Sequence, residues 1–254
     1  MGNNKLFFGE NGILSAKLGT SDVKIYLGKD LMYEPSTIIV AKFVKNKGDG
    51  ATIISGGKPT AYFEEIVIDG VEQQKIASAY TFDTYGEHTI EYTLLTPHVI
   101  SDYSFSKCAK MTSIRIPNDV TSIGQYALQG CGFTSIDIPS SVTSIGDSAF
   151  ESCSSLSSCT IGSGVTSIGD GAFLACTNLT SIDIPDSVTS IGDNAFNGCN
   201  SLTSVTVNAV TPPRLGKTTF ANNARGRLIY VHSSSVNAYK IAWSEYASDI
   251  VAIK

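Results

Sequence analysis

Five cysteines fall in register along the second half of the chain: Cys108, Cys131, Cys153, Cys176 and Cys199, at steps of 23, 22, 23 and 23 residues. Thiols spaced so regularly could close disulfides or hold a metal. Stacked ladder residues, however, point the same way, with Cβ atoms near the inter-strand distance of ~4.8 Å. A disulfide prefers Cβ atoms at ~3.8 Å. The column therefore reads as reduced thiols lining a core, where free cysteine behaves as a small hydrophobe. Cys159 lies outside it and replaces a strand isoleucine. A second column, Asp102, Asp147, Asp170 and Asp193 with Gln125 interrupting, repeats carboxylates in a way that suggests calcium. Asp at the N-cap of a short helical turn explains the same column without a metal.

The remaining candidates for chemistry are sparse. His88, His98 and His232 have no sequence partner at metal or triad spacing. Gly56-Gly57-Lys58-Pro59-Thr60 has the look of a phosphate loop, but the glycine that motif needs is Thr52, and a proline follows the lysine. Asn178-Leu179-Thr180 fits a glycosylation sequon. No convergent acid, base or nucleophile set emerges. The sequence predicts no catalytic residue, no metal site and no cofactor.

The elements that must position these columns repeat with them. Three residues before each cysteine stands Phe105, Leu128, Phe150, Phe173 or Phe196, and eight before it Ile100, Ile123, Ile145, Ile168 or Ile191. A fixed period of this length is the mark of a solenoid, in which each repeat buries its apolar face against its neighbours. Ile182-Asp183-Ile184 alternates apolar and polar like a half-buried strand, and Pro185 ends it. Val188 to Ile191 makes a second extended segment bounded by Gly192, and Asp193 then precedes Ala195-Phe196 in an expected helical or 3₁₀ turn. The first strand recurs at Ile114–Ile116, Ile136–Ile138, Cys159–Ile161 and Val205–Val207, so a continuous parallel sheet is expected. The single 22-residue step arises at Gly132-Phe133, one residue shorter than Ser154-Ser155-Leu156.

The chain has 254 residues, a net charge of −5 and only 16% charged residues. That balance argues against a nucleic-acid partner, and the exterior is solvated largely by Ser, Thr, Asn and Gly. No apolar run approaches the ~18 residues of a transmembrane segment. Met1-Gly2-Asn3-Asn4-Lys5 lacks the basic and apolar regions of a signal peptide. A secreted reading therefore requires a trimmed signal or another export route.

The recurring pattern I-P-x-S-V-T-S-I-G-D-x-A-F-x-x-C-x-x-L-T-S-I resembles the BspA-like leucine-rich repeats of bacterial surface proteins, over about residues 98–210. It departs from the commoner leucine-rich repeat, because Asp119, Ser141, Gly164 and Ser187 stand where Asn or Cys would form a ladder. The tail, Thr211 to Tyr239-Lys240, looks like the ending seen in that family; Tyr239, Trp243 and Tyr246 on a predicted helix would cover the open end of the stack. The resemblance implies a non-catalytic cell-surface or secreted protein of an anaerobic bacterium, an adhesin for host matrix proteins, glycans or other cells. An alternative is a phage or prophage tail-associated protein, since Lys24 to Tyr33 is similar to openings seen in some phage structural proteins.

The expected organisation has four parts: an N-terminal hairpin segment over 1–34, with Lys24–Leu27 against Leu31–Tyr33; a small immunoglobulin-like β-sandwich over 35–97; about five leucine-rich coils over 98–210; and a cap over 211–254. Ile66-Val67-Ile68-Asp69-Gly70-Val71 carries the Asp-Gly of a hairpin. Tyr80–Phe82 and Gly86–Leu94 read as later strands. Without a flexible linker, the sandwich and solenoid are expected to pack together rigidly. A ligand, if one binds, is expected on the outward row of the first strands: Ser113, Arg115, Ser135, Asp137, Ser158, Thr160, Ser181, Asp183, Ser204 and Thr206. A merely soluble ladder face is the competing explanation of that row. The fold class is thus mainly β, with short helical turns, and the oligomeric state is left open.

Overall fold

The computed structural model describes residues 37–56, 63–74, 77–96 and 98–253, together with four short strands nearer the N-terminus. Those strands are β1 (Phe7–Phe8), β2 (Leu14–Ser15), β3 (Ile25–Leu27) and β4 (Asp30–Tyr33), paired antiparallel as β1–β2 and β3–β4. The expected hairpin of Lys24–Leu27 with Leu31–Tyr33 rests partly on Lys24, Gly28 and Lys29, which lie outside the described residues. So do Gly57 to Thr60 of the loop considered above. The chain divides into two units, Met1–Ser36 and Thr37–Lys254.

The second unit opens with β5 (Ile38–Lys45), β6 (Thr52–Ile53), β7 (Phe63–Ile68), β8 (Val71–Glu72), β9 (Ala79–Tyr80) and β10 (Gly86–Leu94). Period-2 alternation sends Ile39, Ala41 and Phe43 of β5, and Ile90, Tyr92 and Leu94 of β10, to one buried face. Asp69 and Gly70 take left-handed φ values of 48° and 80° between β7 and β8, the backbone that an Asp-Gly hairpin turn requires.

The coils begin at β11 (Val99–Ile100) and β12 (Met111–Arg115). The sheet order is β12-β5-β10-β7-β8, so the first long strand of the solenoid is also the edge of the N-terminal sheet. β5 meets β12 antiparallel, with Lys42 opposite Ser113 and Val40 opposite Arg115. Where a small immunoglobulin-like sandwich is expected, the described residues give this one sheet and a two-stranded ribbon, β6–β9. The inner face of the sheet packs on the first coil: the Phe63 and Tyr92 rings lie 5.3 and 5.0 Å from Phe105. The Lys110–Asp49 ion pair at 2.9 Å adds a bridge between the two parts.

Each later coil carries a second-strand pair and then a first-strand segment: β13 (Ser122–Ile123) and β14 (Ser135–Ile138), β15 (Ser144–Ile145) and β16 (Ser158–Ile161), β17 (Ser167–Ile168) and β18 (Ser181–Ile184), β19 (Ser190–Ile191) and β20 (Ser204–Val207). One further coil follows, β21 (Arg214–Leu215) and β22 (Leu228–Val231), before helix α1 (Val236–Ala242) and β23 (Ile250–Ala252). This last coil lies inside the stretch expected as cap. It keeps Phe220 in the aromatic column but has no cysteine.

The continuous parallel sheet is the short one, β11-β13-β15-β17-β19-β21. The longer first strands, expected to pair throughout, fall into three blocks: β12 in the N-terminal sheet, β14–β16, and β18-β20-β22-β23. β12 pairs with β5 through one edge only; nothing in the structure explains why its other edge does not continue to β14, or the second break, between β16 and β18.

The core is an aromatic stack. Phe150, Phe173, Phe196 and Phe220 lie face to face at 5.0, 5.1 and 5.5 Å, within the spacing favoured for stacked rings. Leu128 replaces the ring in the coil before Phe150, and Phe63 and Tyr92 pack on Phe105 one coil earlier, at the start of the same column. Trp243 and Tyr246 close the far end, 6.0 and 5.6 Å from Phe220. Tyr239 and Trp243 also donate to the Ala209 and Pro213 carbonyls at 2.7 and 2.9 Å, which orients α1 over the last coil. Arg227 locks this cap, with its guanidinium over the Phe220 and Tyr246 rings and paired to Asp249.

Candidate functional site

The two polar columns join coil to coil. Asp102 Oδ1 accepts the Gln125 N–H at 2.7 Å, Asp147 that of Asp170 at 2.9 Å, Asp170 that of Asp193 at 2.8 Å, and Asp193 that of Lys217 at 2.7 Å. The expected N-cap role is corrected here: each carboxylate caps the backbone of the next coil, not of its own turn. Nor is that turn helical, since it passes through left-handed residues such as Ser148, Gly171 and Asn194. The glycine ahead of each donor N–H, Gly124, Gly169, Gly192 or Gly216, makes the approach possible. A Cβ at Gly169 would lie 2.5 Å from Asp147 Oδ1 and 2.7 Å from Asp147 N.

The thiols form a parallel set of staples. Cys131, Cys153, Cys176 and Cys199 each donate S–H to the carbonyl of Phe105, Leu128, Phe150 or Phe173 in the preceding coil, at 3.1–3.2 Å. In the cysteine-free last coil, Asn223 Nδ2 donates to the Phe196 carbonyl at 2.8 Å. The column is therefore defined by its bond to a carbonyl and not by sulfur. Burial pushes the thiols of Cys131, Cys153 and Cys176 well up, and that of Cys199 up to about 12. Inert thiols follow. Cys159 sits opposite Ile136 and packs against the core, in the isoleucine position.

His88 finds a partner that sequence spacing did not supply. Its Nδ1 is 2.7 Å from Asp69 Oδ2, its Nε2 is 3.1 Å from the Thr84 carbonyl, and its ring stacks on Phe82 at 3.9 Å. Burial acts to raise Asp69, but hydrogen bonds from His88 and the Thr89 N–H outweigh it and hold the carboxyl below its usual value. His98 lies beside Asp119, and His232 Nδ1 accepts from the Ser234 N–H at the start of a short 3₁₀ turn. All three histidines therefore have structural contacts. Among the described residues, no group of three or more His, Cys, Asp or Glu could hold a metal.

The first-strand row lies on the outside of the coils. Ser113, Arg115, Ser135, Asp137, Ser158, Thr160, Ser181 and Asp183 are exposed, whereas Ser204 and Thr206 are half-buried. Register sets Ser135 beside Ser158, Asp137 beside Thr160, Ser181 beside Ser204, and Asp183 beside Thr206. Ser113 and Arg115 stand instead beside Lys42 and Val40 of β5. At the far end Thr206 meets Tyr230 and Ser204 meets Leu228. Lys42, Val40 and Tyr230 were missed from sequence. The alternation of Leu228-Ile229-Tyr230-Val231 carried the signal for Tyr230, because it repeats the first-strand pattern. No local signal could pair β5 with β12. The row is chemically a set of hydroxyls with two carboxylates, one guanidinium and an aromatic ring at its end.

A family model described as BspA type leucine rich repeat region matches residues 98–225 in six copies. Among solved structures, a leucine-rich repeat protein from Bacteroides capillosus is 39% identical, with 35% of this chain and 63% of that chain covered and a TM-score of 0.33. The leucine-rich repeat protein of T. pallidum is 27% identical over 52% of this chain and 61% of that chain, TM-score 0.47. A leucine-rich cell surface protein from Faecalibacterium prausnitzii is 29% identical over 58% of this chain and 37% of that one, TM-score 0.41. The chain thus spans less than two thirds of each of these relatives. No curated protein matches.

Proposed function

This chain belongs to the BspA-type leucine-rich repeat family, and we propose that it is a non-catalytic binding protein of the cell surface or extracellular space. It recognises a surface protein or glycan of a host or of another cell through the outward row of its first strands. The observation that carries this reading is the row itself, with Ser135, Asp137, Ser158, Thr160, Ser181 and Asp183 held outward on rigid strands. Solenoids use such extended faces for recognition. Hydroxyl contacts are individually weak, so affinity per copy is modest and gains from multivalent display. Arg115, Asp137 and Asp183 select the partner by charge more than they add affinity. In the described residues no helix is long and apolar enough to cross a membrane.

We read the N-terminal part of the second unit as a cap on the solenoid more than as an independent immunoglobulin-like sandwich. Its support is the shared strand β12 and the packing of Phe63 and Tyr92 on Phe105 of the first coil. The test of the binding face is the triple variant Asp137→Lys, Thr160→Lys, Asp183→Lys. Binding to a host-cell extract or matrix preparation should be abolished while the thermal melt stays nearly unchanged. Undiminished binding would remove the ligand from this face.

A further inference from the structure

The N-terminal sheet carries a second feature, remote in chemistry from the solenoid row. β8 is its outermost strand, and among the described residues nothing pairs with its free edge. An unpaired edge offers backbone donors and acceptors to an incoming strand. Val71 on this short edge is 64% exposed, and the strand's other residue, Glu72, puts a carboxylate beside it, so the edge favours a strand of opposite charge. Beside the edge lies a cleft of about 760 Å³, a size typical of ligand sites.

The cleft has two chemistries. Its floor is apolar: Ile68 and Phe82 are buried and Tyr80 half-buried, with Phe82 held in place by the stacked His88 ring. Its rim is anionic, carrying Asp69, Glu72 and Asp83. Asp69 is engaged by His88 and the Thr89 N–H. Glu72 and Asp83 are exposed, and among the described residues neither is in an ion pair. Along the sequence from Phe63 to Leu94 there are seven carboxylates (Glu64, Glu65, Asp69, Glu72, Asp83, Glu87 and Glu91) against the single basic Lys75. From the neighbouring strand β5, Lys42 pairs with Glu87 and Lys45 donates to the Phe82 carbonyl, which leaves Glu72 and Asp83 as the unpaired charges of the rim among the described residues.

An apolar floor under an anionic rim matches a side chain with a long apolar stem and a cationic head, which is lysine or arginine. A free sheet edge alongside matches the extended backbone that would carry it. We propose that this cleft seats a lysine or arginine side chain of a partner polypeptide that adds as a strand along β8. The site is independent of the solenoid row.

The test titrates the full chain with a capped peptide of alternating threonine and lysine, and with the same peptide carrying norleucine for lysine. The lysine peptide should bind saturably and about fivefold tighter than the norleucine peptide, the margin of one modest ion pair. Salt should erode that margin. The double variant Glu72→Gln, Asp83→Asn should lose it with no change in melting temperature, whereas the solenoid triple variant should keep it. Equal binding of the two peptides, no saturable binding of the lysine peptide, or a margin retained in the double variant would overturn the proposal. Self-association of the full chain that the double variant abolishes would also overturn it, by assigning the edge to a second copy.

Discussion

Replacing Asp170 by Asn and by Ala separates two roles that the aspartate column could have. Asp170 accepts the Asp193 N–H at 2.8 Å through Oδ1 and itself donates its N–H to Asp147. Its carboxylate therefore has like charges one coil away on both sides, at about 4.8 Å. In bulk water each such pair repels by about 0.9 kcal/mol. Screening over a Debye length of about 8 Å reduces this to about 0.5 kcal/mol at physiological salt. Asn keeps an acceptor oxygen and removes about 1 kcal/mol of total repulsion. Against that it exchanges a charge-assisted bond for a neutral one, at a cost of roughly 0.5–1 kcal/mol. The two effects nearly cancel, so Asp170→Asn should melt within a degree or two of the parent and compare most favourably at low salt. Ala supplies no acceptor and leaves the Asp193 N–H unpaired, which puts it about 1 kcal/mol below Asn. For a chain of this length that is roughly 2–4 °C in Tm. Differential scanning calorimetry of the two variants at low and high salt, with and without added calcium, makes the comparison. If Asn fell as far as Ala, or if calcium raised the parent's Tm and not the variants', the carboxylate charge would matter for itself and the coil-to-coil bond would not explain the column.

Gly169→Ala should cost about 2–3 kcal/mol by thermal melt, because the new Cβ would meet Asp147 at contact distances the backbone cannot tolerate. Ala175→Gly should instead stabilise by about 0.5–1 kcal/mol, since Ala175 holds φ at 58° where Gly198 serves in the next coil. A thiol reagent should find few reactive groups in the native chain and all six cysteines after unfolding; a mass deficit from inter-coil disulfides would refute the staple geometry. Asp69 is held below its usual value of 3.8, so its contribution to stability is present above that value and is lost as pH falls through its lower folded value. Asp69→Asn should therefore flatten the acid limb of the stability–pH curve below about pH 4, and an unchanged slope there would refute the His88–Asp69 pairing.

The repeat was legible in the sequence because a solenoid is almost a local structure. Each coil must place Ile, Val, Phe and Cys inward at fixed offsets to meet the same residues one coil away, so the period of the chain is the period of the fold. That is why Ile182, Ile191, Phe196 and Cys199 mark strands and core in the sequence alone, and why the outward Ser and Asp positions are legible residue by residue. The last coil carries the same pattern in Leu228–Val231 and Phe220 but lacks the cysteine that marks the others; Asn223 makes the equivalent bond. Only the tertiary structure decided what meets across long sequence separations. It gave β12 to β5 and thereby set Lys42 beside Ser113. It turned each aspartate toward the next coil, because Gly169 and its counterparts let the backbones come close. It brought Asp69, in the β7–β8 turn, to His88 on β10 and made a cleft beside β8. Periodicity fixes which face a residue takes; the partner it meets there depends on how distant strands choose one another, and no period in the chain encodes that choice.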